Sequence, residues 1–422
     1  MSHLNSHSAL TPVANDQRVF SSLNHAALWF SLGVGLLVIQ IGAYLVPAMG
    51  TRDAAVAIVL GSVLGAAVLA WVAHVACRTG LSSAGLIQSV YGTNFGKLPI
   101  VLNVVQLIGW TSFELVVMRD STGAIVEKTL GYTPATWVTT AFWGALLALL
   151  MLAPMLTLVR QFVSRVGLPL VVLSLAWLTW QFMLRLGDGG FNAFWHKTGD
   201  ESMGLLSGMD LVMAMPISWL PLIADYARHG KHAGGAFWGT WAGYAVANMW
   251  CYALGVLVAN TTEPGTDLVA ALLLAQGGLI ALGLIMIDEL DNAYGDLYSA
   301  SMATNALQAG SIKRVWTFRR VALSLAGVST VIAMVLPMHQ LEPFMLLLSS
   351  IFIPLYGTVL GRQWGQTVHT VQRQDPVACS IWVLGIGTYH TIAQMAPSWG
   401  AAIPTLMLTI VLSKVHAIYF KN

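Results

Sequence analysis

Twelve long apolar blocks constrain the fold of this chain more than any other feature. Each block has about 18 to 25 residues, the length at which an α-helix crosses a bilayer core of about 30 Å. Only 9% of the 422 residues are charged, whereas about a quarter of a soluble domain is charged. The sequence therefore predicts an all-α polytopic membrane protein in the lipid bilayer. The predicted spans are 26–48, 54–77, 98–126, 134–158, 166–185, 209–227, 233–260, 277–300, 317–337, 342–360, 376–394 and 398–418.

The distribution of lysines and arginines along the chain tests the predicted number of spans, because cytoplasmic loops carry an excess of these residues. With the N-terminus inside, 15 of the 20 fall on the cytoplasmic side, four fall outside, and Arg119 lies within span three. This asymmetry predicts an inner-membrane protein with both termini cytoplasmic. Residues 1–25 are polar and have no basic segment before an apolar one, so they are predicted to be a disordered cytoplasmic tail. The stretch 267–276 is predicted to be a separate external helix before span eight.

Spans one and six contain residue types that interrupt helices. In span one, three glycines between positions 33 and 42 flank Gln40, a candidate substrate contact. In span six, Pro216 and Pro221 bracket Ser218 and Trp219. Each proline removes a backbone N–H donor, and broken helices persist in lipid only where they line a cavity. Interrupted helices five spans apart indicate the substrate site of a secondary transporter; two simple kinks are the alternative.

Span three carries a polar stripe at membrane depth. Gln106, Trp110 and Glu114 follow at four-residue steps, which places them on one helix face. The stripe offers an amide, an aromatic plate and a carboxylate. We interpret it as suited to a flat heterocycle with hydrogen-bonding edges.

Span eight carries four carboxylates within nine residues. Each costs several kcal/mol in hydrocarbon unless it is paired or hydrated, so the four cannot all face lipid. The spacing puts Asp288, Asp291 and Asn292 on one face and predicts that Glu289 points elsewhere. Two interpretations are open: a site for a coupling ion, or a structural role in which some carboxylates, Glu289 and Asp296 above all, lie in a hydrated vestibule or pair with Arg119.

Other classes of function are excluded. The three cysteines lie inside apolar blocks and have no disulfide or metal spacing. No metalloprotease, serine-hydrolase or phosphate-loop motif occurs, so no enzyme activity and no cofactor are predicted. The net charge of +2 argues against a nucleic-acid partner. Glycines at four-residue spacing predict close helix packing at Gly61–Gly65, Gly235–Gly239–Gly243 and Gly357–Gly361.

Four segments in order along the chain resemble nucleobase–cation symporter family 1, the purine, cytosine and hydantoin permeases. They are CRTGLSS after span two, QLIGW in span three, LPLIADYARHG ending span six and DNAYGDLYSAS in span eight. SWLPLIADY most resembles the subgroup proposed to import hydroxymethylpyrimidine, the thiamine precursor. The resemblance implies a LeuT-type five-plus-five inverted repeat and alternating access of a bundle against a scaffold. The implied boundaries are repeats at 26–185 and 209–360, an external loop at 186–208 and two further helices within 361–422.

The resemblance also implies roles for individual residues. Trp110 matches the family's tryptophan that stacks on the substrate ring. Glu114 lies where relatives have a polar residue that hydrogen-bonds the substrate, and Gln106 matches the polar residue before the tryptophan. Ser218 and Trp219 lie where relatives supply a hydroxyl and a second aromatic plate. The resemblance therefore implies a small heterocyclic substrate held between spans three and six.

Span eight departs from the family. Asn292 and Asp291 lie near the family's substrate amide, but sodium-coupled relatives use hydroxyl side chains here, where this chain has Asp288 and Glu289. Both a proton and a sodium ion stay open, with a slight preference for the proton because adjacent carboxylates do not both ionise readily. The predicted function is a symporter that imports a pyrimidine-like heterocycle. A cytosine or purine permease is the alternative, and a channel or a non-transporting receptor of the same fold is a further one.

Overall fold

The computed structural model describes residues 10–152, 167–187, 189–308, 316–364 and 375–419. All regular elements within these ranges are helices. In chain order they are α1 Ser22–Ser31, α2 Leu36–Tyr44, α3 Thr51–Thr79, α4 Ser83–Phe95, α5 Lys97–Leu130, α6 Thr136–Leu150, α7 Leu168–Met183, α8 Gly190–Trp195, α9 Leu205–Ser218, α10 Leu220–Ala227, α11 Ala233–Thr261, α12 Leu268–Leu273, α13 Gly278–Gln308, α14 Phe318–Ala333, α15 Leu341–Gln363, α16 Pro376–Met395 and α17 Ala402–Tyr419.

The predicted twelve-helix membrane architecture is confirmed. Spans one and six correspond to the pairs α1–α2 and α9–α10, and each other span corresponds to one helix. In the described ranges, seven stretches are long and apolar enough to cross a membrane, and α1–α2 makes an eighth. The predicted external helix is α12. Residues 153–158 of span four and residue 166 of span five lie outside the described residues, and α4 and α8 were not predicted.

Span one is broken, as its glycines predict. α1 and α2 meet at an angle of 63°. Gly35 is extended at this corner, with φ 173° and ψ 157°. An added Cβ at Gly35 would lie 3.1 Å from the nearer carboxyl oxygen of Glu289. The corner therefore brings the backbone of span one directly against α13.

The prediction that span six is unwound between its prolines is wrong. Only Trp219 separates α9 from α10, and its φ of −83° and ψ of −10° stay in the right-handed helical region. Proline restricts φ to a helical value, so it removes a hydrogen bond without forcing the chain to unwind. The Val212 carbonyl, which Pro216 leaves without its usual donor, instead accepts a hydrogen bond from the Tyr252 hydroxyl at 3.0 Å. A neighbouring helix therefore keeps the span helical.

The glycine steps pack helices closely, as predicted. They join α3 to α9, α11 to α1 and α15 to α17. An added Cβ would lie 2.4 Å from Pro216 Cγ at Gly65, 2.3 Å from the Ala26 carbonyl at Gly243 and 2.0 Å from Thr409 Oγ1 at Gly357. These backbones approach each other too closely for any side chain.

Residues 10–21 are packed against the helix ends, so the prediction of a disordered tail is wrong for them; residues 1–9 lie outside the described residues. Arg18 Nη1 donates to the Cys77 carbonyl at 2.6 Å. The Phe20 N–H donates to the His229 carbonyl at 2.9 Å, and the Phe20 ring lies 5.7 Å from the ring of His25, centre to centre. Burial, followed by the charge of a neighbouring arginine, lowers the pKa of His229 to about 4. The polar composition of residues 10–21 did not predict that they are ordered, because backbone hydrogen bonds and one aromatic side chain hold the segment in place.

Replacing Phe20 with alanine is expected to release this segment. Phe20 is 1% exposed, and removing a buried phenylalanine side chain costs about 3–5 kcal/mol. Hydrogen exchange of residues 10–21 should become faster while exchange in α3 stays unchanged. Leu23→Ala is the control, because Leu23 is 77% exposed; equal exchange in the two variants would contradict the prediction.

Candidate functional site

A small cavity lies where the corner of span one faces α5, α9–α10 and α13. Six of the predicted site residues line it: Trp110, Glu114, Ser218, Trp219, Glu289 and Asn292. Its volume is about 10 Å³, the space of about one water molecule. The walls must therefore move apart before a heterocycle can enter.

Two indole rings form part of the wall. Trp110 lies edge-on to Phe344, with ring centres 5.3 Å apart, and Trp219 lies edge-on to Trp29 at 6.0 Å. Both are almost fully buried, and Trp110 Nε1 has no hydrogen-bond partner among the described residues. An indole whose N–H is unsatisfied offers both a ring face and a donor to a bound molecule.

Side chains of α13 satisfy the backbone of the span-one corner. Asn292 Nδ2 donates to the Val34 carbonyl at 3.1 Å, and the N–H of Leu36, the first residue of α2, donates to Glu289 Oε1. These bonds replace the backbone partners that are missing at the break. The prediction that Glu289 points away from the site is therefore wrong, because the corner covers more than one face of α13.

The two predicted ion-coupling aspartates have different surroundings. Ser31 Oγ donates to Asp288 Oδ1 at 2.6 Å, so Asp288 is bound to α1. Asp291 is half-buried, does not line the cavity and lies near Tyr226 and Tyr294. Asp296 does line it, although sequence reasoning did not select it.

Two predicted substrate contacts lie outside the cavity wall. Gln106 Nε2 points to the Asn103 side chain at 3.2 Å and to the Ser218 carbonyl at 3.4 Å. Gln40 is half-buried on α2 and hydrogen-bonds Tyr44. Gln106 thus supports span six by hydrogen bonds. Gln40 does not line the cavity.

Arg119 does not pair with the carboxylates of span eight. Its guanidinium binds Asp120 at 2.7 Å and the Ala333 carbonyl at 2.7 Å. Nor does the described part of the chain hold three His, Cys, Asp or Glu residues in an arrangement that could bind a metal ion. Of the carboxyl groups that line the cavity, Glu289 is held by a hydrogen bond from the span-one corner.

Asp225 joins three of the sequence segments that carry the family resemblance. Its carboxylate accepts the Ser83 N–H of CRTGLSS at 3.0 Å and the Ser299 hydroxyl of DNAYGDLYSAS. Asp225 itself belongs to LPLIADYARHG. These bonds connect α10, α4 and α13 on the side predicted to be cytoplasmic. Sequence reasoning quoted the segments but missed the contact, because each bond joins residues far apart in sequence.

Asp225→Asn is expected to destabilise the protein by about 1–3 kcal/mol, the usual cost of leaving a buried donor unpaired. The amide keeps the shape of the carboxylate but offers a single acceptor oxygen to two donors. Thermal unfolding in detergent measures the loss. Asp53→Asn, at an exposed position on α3, is the matched control, and equal melting temperatures for the two variants would overturn the assignment.

The fold and this cavity define a multi-pass secondary transporter, and the comparisons agree. The family described as permeases for cytosine and purines, uracil, thiamine and allantoin matches residues 12–364, and the chain belongs to it. A comparison with curated protein sequences found no match.

Solved structures of low sequence identity share the fold. Mhp1, a nucleobase–cation-symport-1 transporter in a closed conformation with bromovinylhydantoin bound, is 14% identical with a TM-score of 0.78, covering 97% of this chain and 94% of that one. Inward-facing Mhp1 is 17% identical with a TM-score of 0.77, covering 99% and 93%. A sodium-coupled sialic acid symporter is 11% identical with a TM-score of 0.66, covering 99% and 94%. The predicted LeuT-type fold is therefore confirmed, and the family and these neighbours are transporters, not enzymes.

Proposed function

We propose that this protein is a symporter that imports a pyrimidine-like heterocycle together with a cation by alternating access. Hydroxymethylpyrimidine or a related thiamine precursor is the proposed substrate, on the resemblance of SWLPLIADY. The inner membrane is its proposed location, with both termini cytoplasmic. The proposed repeats are 26–185 and 209–360.

One observation supports this proposal most strongly. Three polar atoms that have no partner in the described part of the chain belong to residues that line the same cavity as the two indole rings: Trp110 Nε1, Glu114 Oε2 and Asn292 Oδ1. Buried polar atoms usually have partners, so this set provides one donor and two acceptors for a ligand. A pyrimidine presents flat faces to indoles and donors and acceptors at its edges, which matches the set.

The glycine contacts support a moving unit made of spans one, two, six and seven. α2 contacts α11 through Gly42 and Gly255, and α3 contacts α9 through Gly65. Trp241 Nε1 of α11 also donates to the Val63 carbonyl of α3 at 3.2 Å. Contacts of this kind fill the space between backbones, so these helices move together. Hydrogen bonds at the corner and the bond from Ser299 to Asp225 join these helices to α13, and such bonds can break and reform.

Uptake and counterflow in proteoliposomes test the proposal. A symporter is expected to concentrate radiolabelled hydroxymethylpyrimidine and to accelerate its entry when unlabelled substrate is inside. Equilibration without concentration would indicate a channel, and binding without movement a receptor. A thermal-shift screen with pyrimidines, purines, hydantoins and thiamine fragments identifies the substrate class. Selective stabilisation by purines would replace the pyrimidine proposal with the purine one.

Imposing a sodium gradient and a pH gradient one at a time identifies the cation. Accumulation driven by the pH gradient without sodium indicates a proton. Strict dependence on sodium with no response to the pH gradient indicates sodium. Asp288, Glu289 and Asp291 are the proposed coupling carboxylates.

A further inference from the structure

Two buried carboxyl groups from different helices meet at the cavity. Glu114 of α5 and Glu289 of α13 both line this cavity of about 10 Å³, the space of about one water molecule, so their carboxyl groups lie close together. Carboxylate oxygens are acceptors only, so two such groups can hydrogen-bond each other only when one of them carries a proton. Two buried carboxylates in contact cannot both be ionised at low cost. The pair therefore holds one proton.

The surroundings determine which group is ionised. Glu289 accepts the N–H of Leu36 at the start of the nine-residue helix α2, and Asn292 Nδ2 lies 3.4 Å from its other oxygen. Donors at the positive end of a helix stabilise a negative charge. Glu114 Oε2 has no partner among the described residues. Glu289 is therefore the carboxylate and Glu114 the group that carries the proton.

The other groups facing the pair do not neutralise it. On α13, the Asp288 and Asp296 carboxyl groups lie near Glu114. α9–α10 contributes the uncharged side chains of Ser218 and Trp219, and span one contributes backbone at its corner. An ionised Glu114 would thus meet further acidic groups, which favours its protonated form in this arrangement.

We propose that Glu114 and Glu289 are the proton-binding site that drives transport, one proton being carried for each substrate. This inference rests on the proposed symport function and names its cation. The corner of span one is held against Glu289 in the present arrangement. When the moving helices carry the corner away, water reaches the pair and hydrates both carboxylates, so the second one can ionise. The O–H bond of Glu114 then breaks, its electron pair stays on the carboxylate, and the proton passes to water on the receiving side.

Glu114→Gln separates proton coupling from substrate transport. The glutamine amide still donates a hydrogen bond to Glu289 but cannot release a proton. Because Glu114 also lines the substrate cavity, counterflow is expected to require a higher substrate concentration, whereas a pH gradient produces no accumulation at any substrate concentration. A pH-sensitive dye inside the vesicles should show substrate-dependent acidification with the unaltered protein and none with the variant. Glu127→Gln, an exposed position on the same helix, is the matched control and should keep both activities.

A second variant keeps the test decisive if Glu114→Gln does not fold. Glu114→Asp withdraws the carboxyl group by one methylene and breaks its contact with Glu289, so accumulation should fall while counterflow persists. Proton-driven accumulation that survives in either variant would overturn the proposal. So would accumulation by the unaltered protein that follows only a sodium gradient, without acidification. Absence of counterflow in the unaltered protein would instead refute the proposed function itself.

Discussion

Replacing Trp110 with alanine is expected to weaken substrate binding by about 1–3 kcal/mol, the usual contribution of one base stacked on an aromatic side chain. This corresponds to a Kd about 5- to 150-fold higher. The variant also loses the indole N–H, which has no hydrogen-bond partner among the described residues and is therefore available to a ligand. Trp110→Phe keeps a ring face and should retain much of the affinity. Binding of radiolabelled substrate to purified protein measures the difference.

The control for this prediction separates binding from folding. Trp110 also contacts Phe344, so its removal could lower stability as well as affinity. Trp238→Ala removes the same side chain from α11 at a site that is 61% exposed, and it should leave the Kd unchanged. If Trp110→Ala melts at the same temperature as the control and binds substrate with unaltered affinity, Trp110 does not stack on the ring.

Gly255→Ala is expected to produce a large loss of stability. An added Cβ would lie 2.1 Å from the Ile39 carbonyl and 2.8 Å from the Ala43 nitrogen, and both are backbone atoms that cannot rotate away. Overpacking of a close contact costs about 1–3 kcal/mol and occasionally more. Here α2 and α11 must separate. We expect a lower melting temperature and a smaller yield of monodisperse protein in detergent.

Gly283→Ala is the matched control, because no atom lies within 4 Å of an added Cβ at that position in α13. Alanine has a higher helix propensity than glycine. The control should therefore melt at the same temperature as the unaltered protein or slightly higher. Equal stability of the two variants would mean that α2 and α11 are not in backbone contact.

The parts predicted correctly from the sequence depend on local patterns. Apolar length predicted the spans, and the four-residue spacing of Trp110 and Glu114 predicted that they share one wall, because both follow from the geometry of a single helix. The glycines of span one predicted its break. Each of these predictions requires only the positions of residues along a single helix.

The parts predicted wrongly depend on neighbouring helices. Glu289 was assigned to the wrong side because the face of an isolated helix does not reveal that the span-one corner covers a second face. Span six stays helical because the Tyr252 hydroxyl, from another helix, serves the Val212 carbonyl. Gln40 lies on the expected helix but turns towards Tyr44. The contacts of Asp225 join residues up to 142 positions apart.

The contacts of Asp225 also affect how often each conformation is populated. Any open form in which α10 separates from α4 and α13 must break the bonds of Asp225 to Ser83 and Ser299. At about 1 kcal/mol each, two such bonds disfavour the open form by about thirtyfold. A ligand can supply that difference only by binding the separated form better than the present one. Asp225, which does not line the cavity, thus contributes to the relative populations of the two forms.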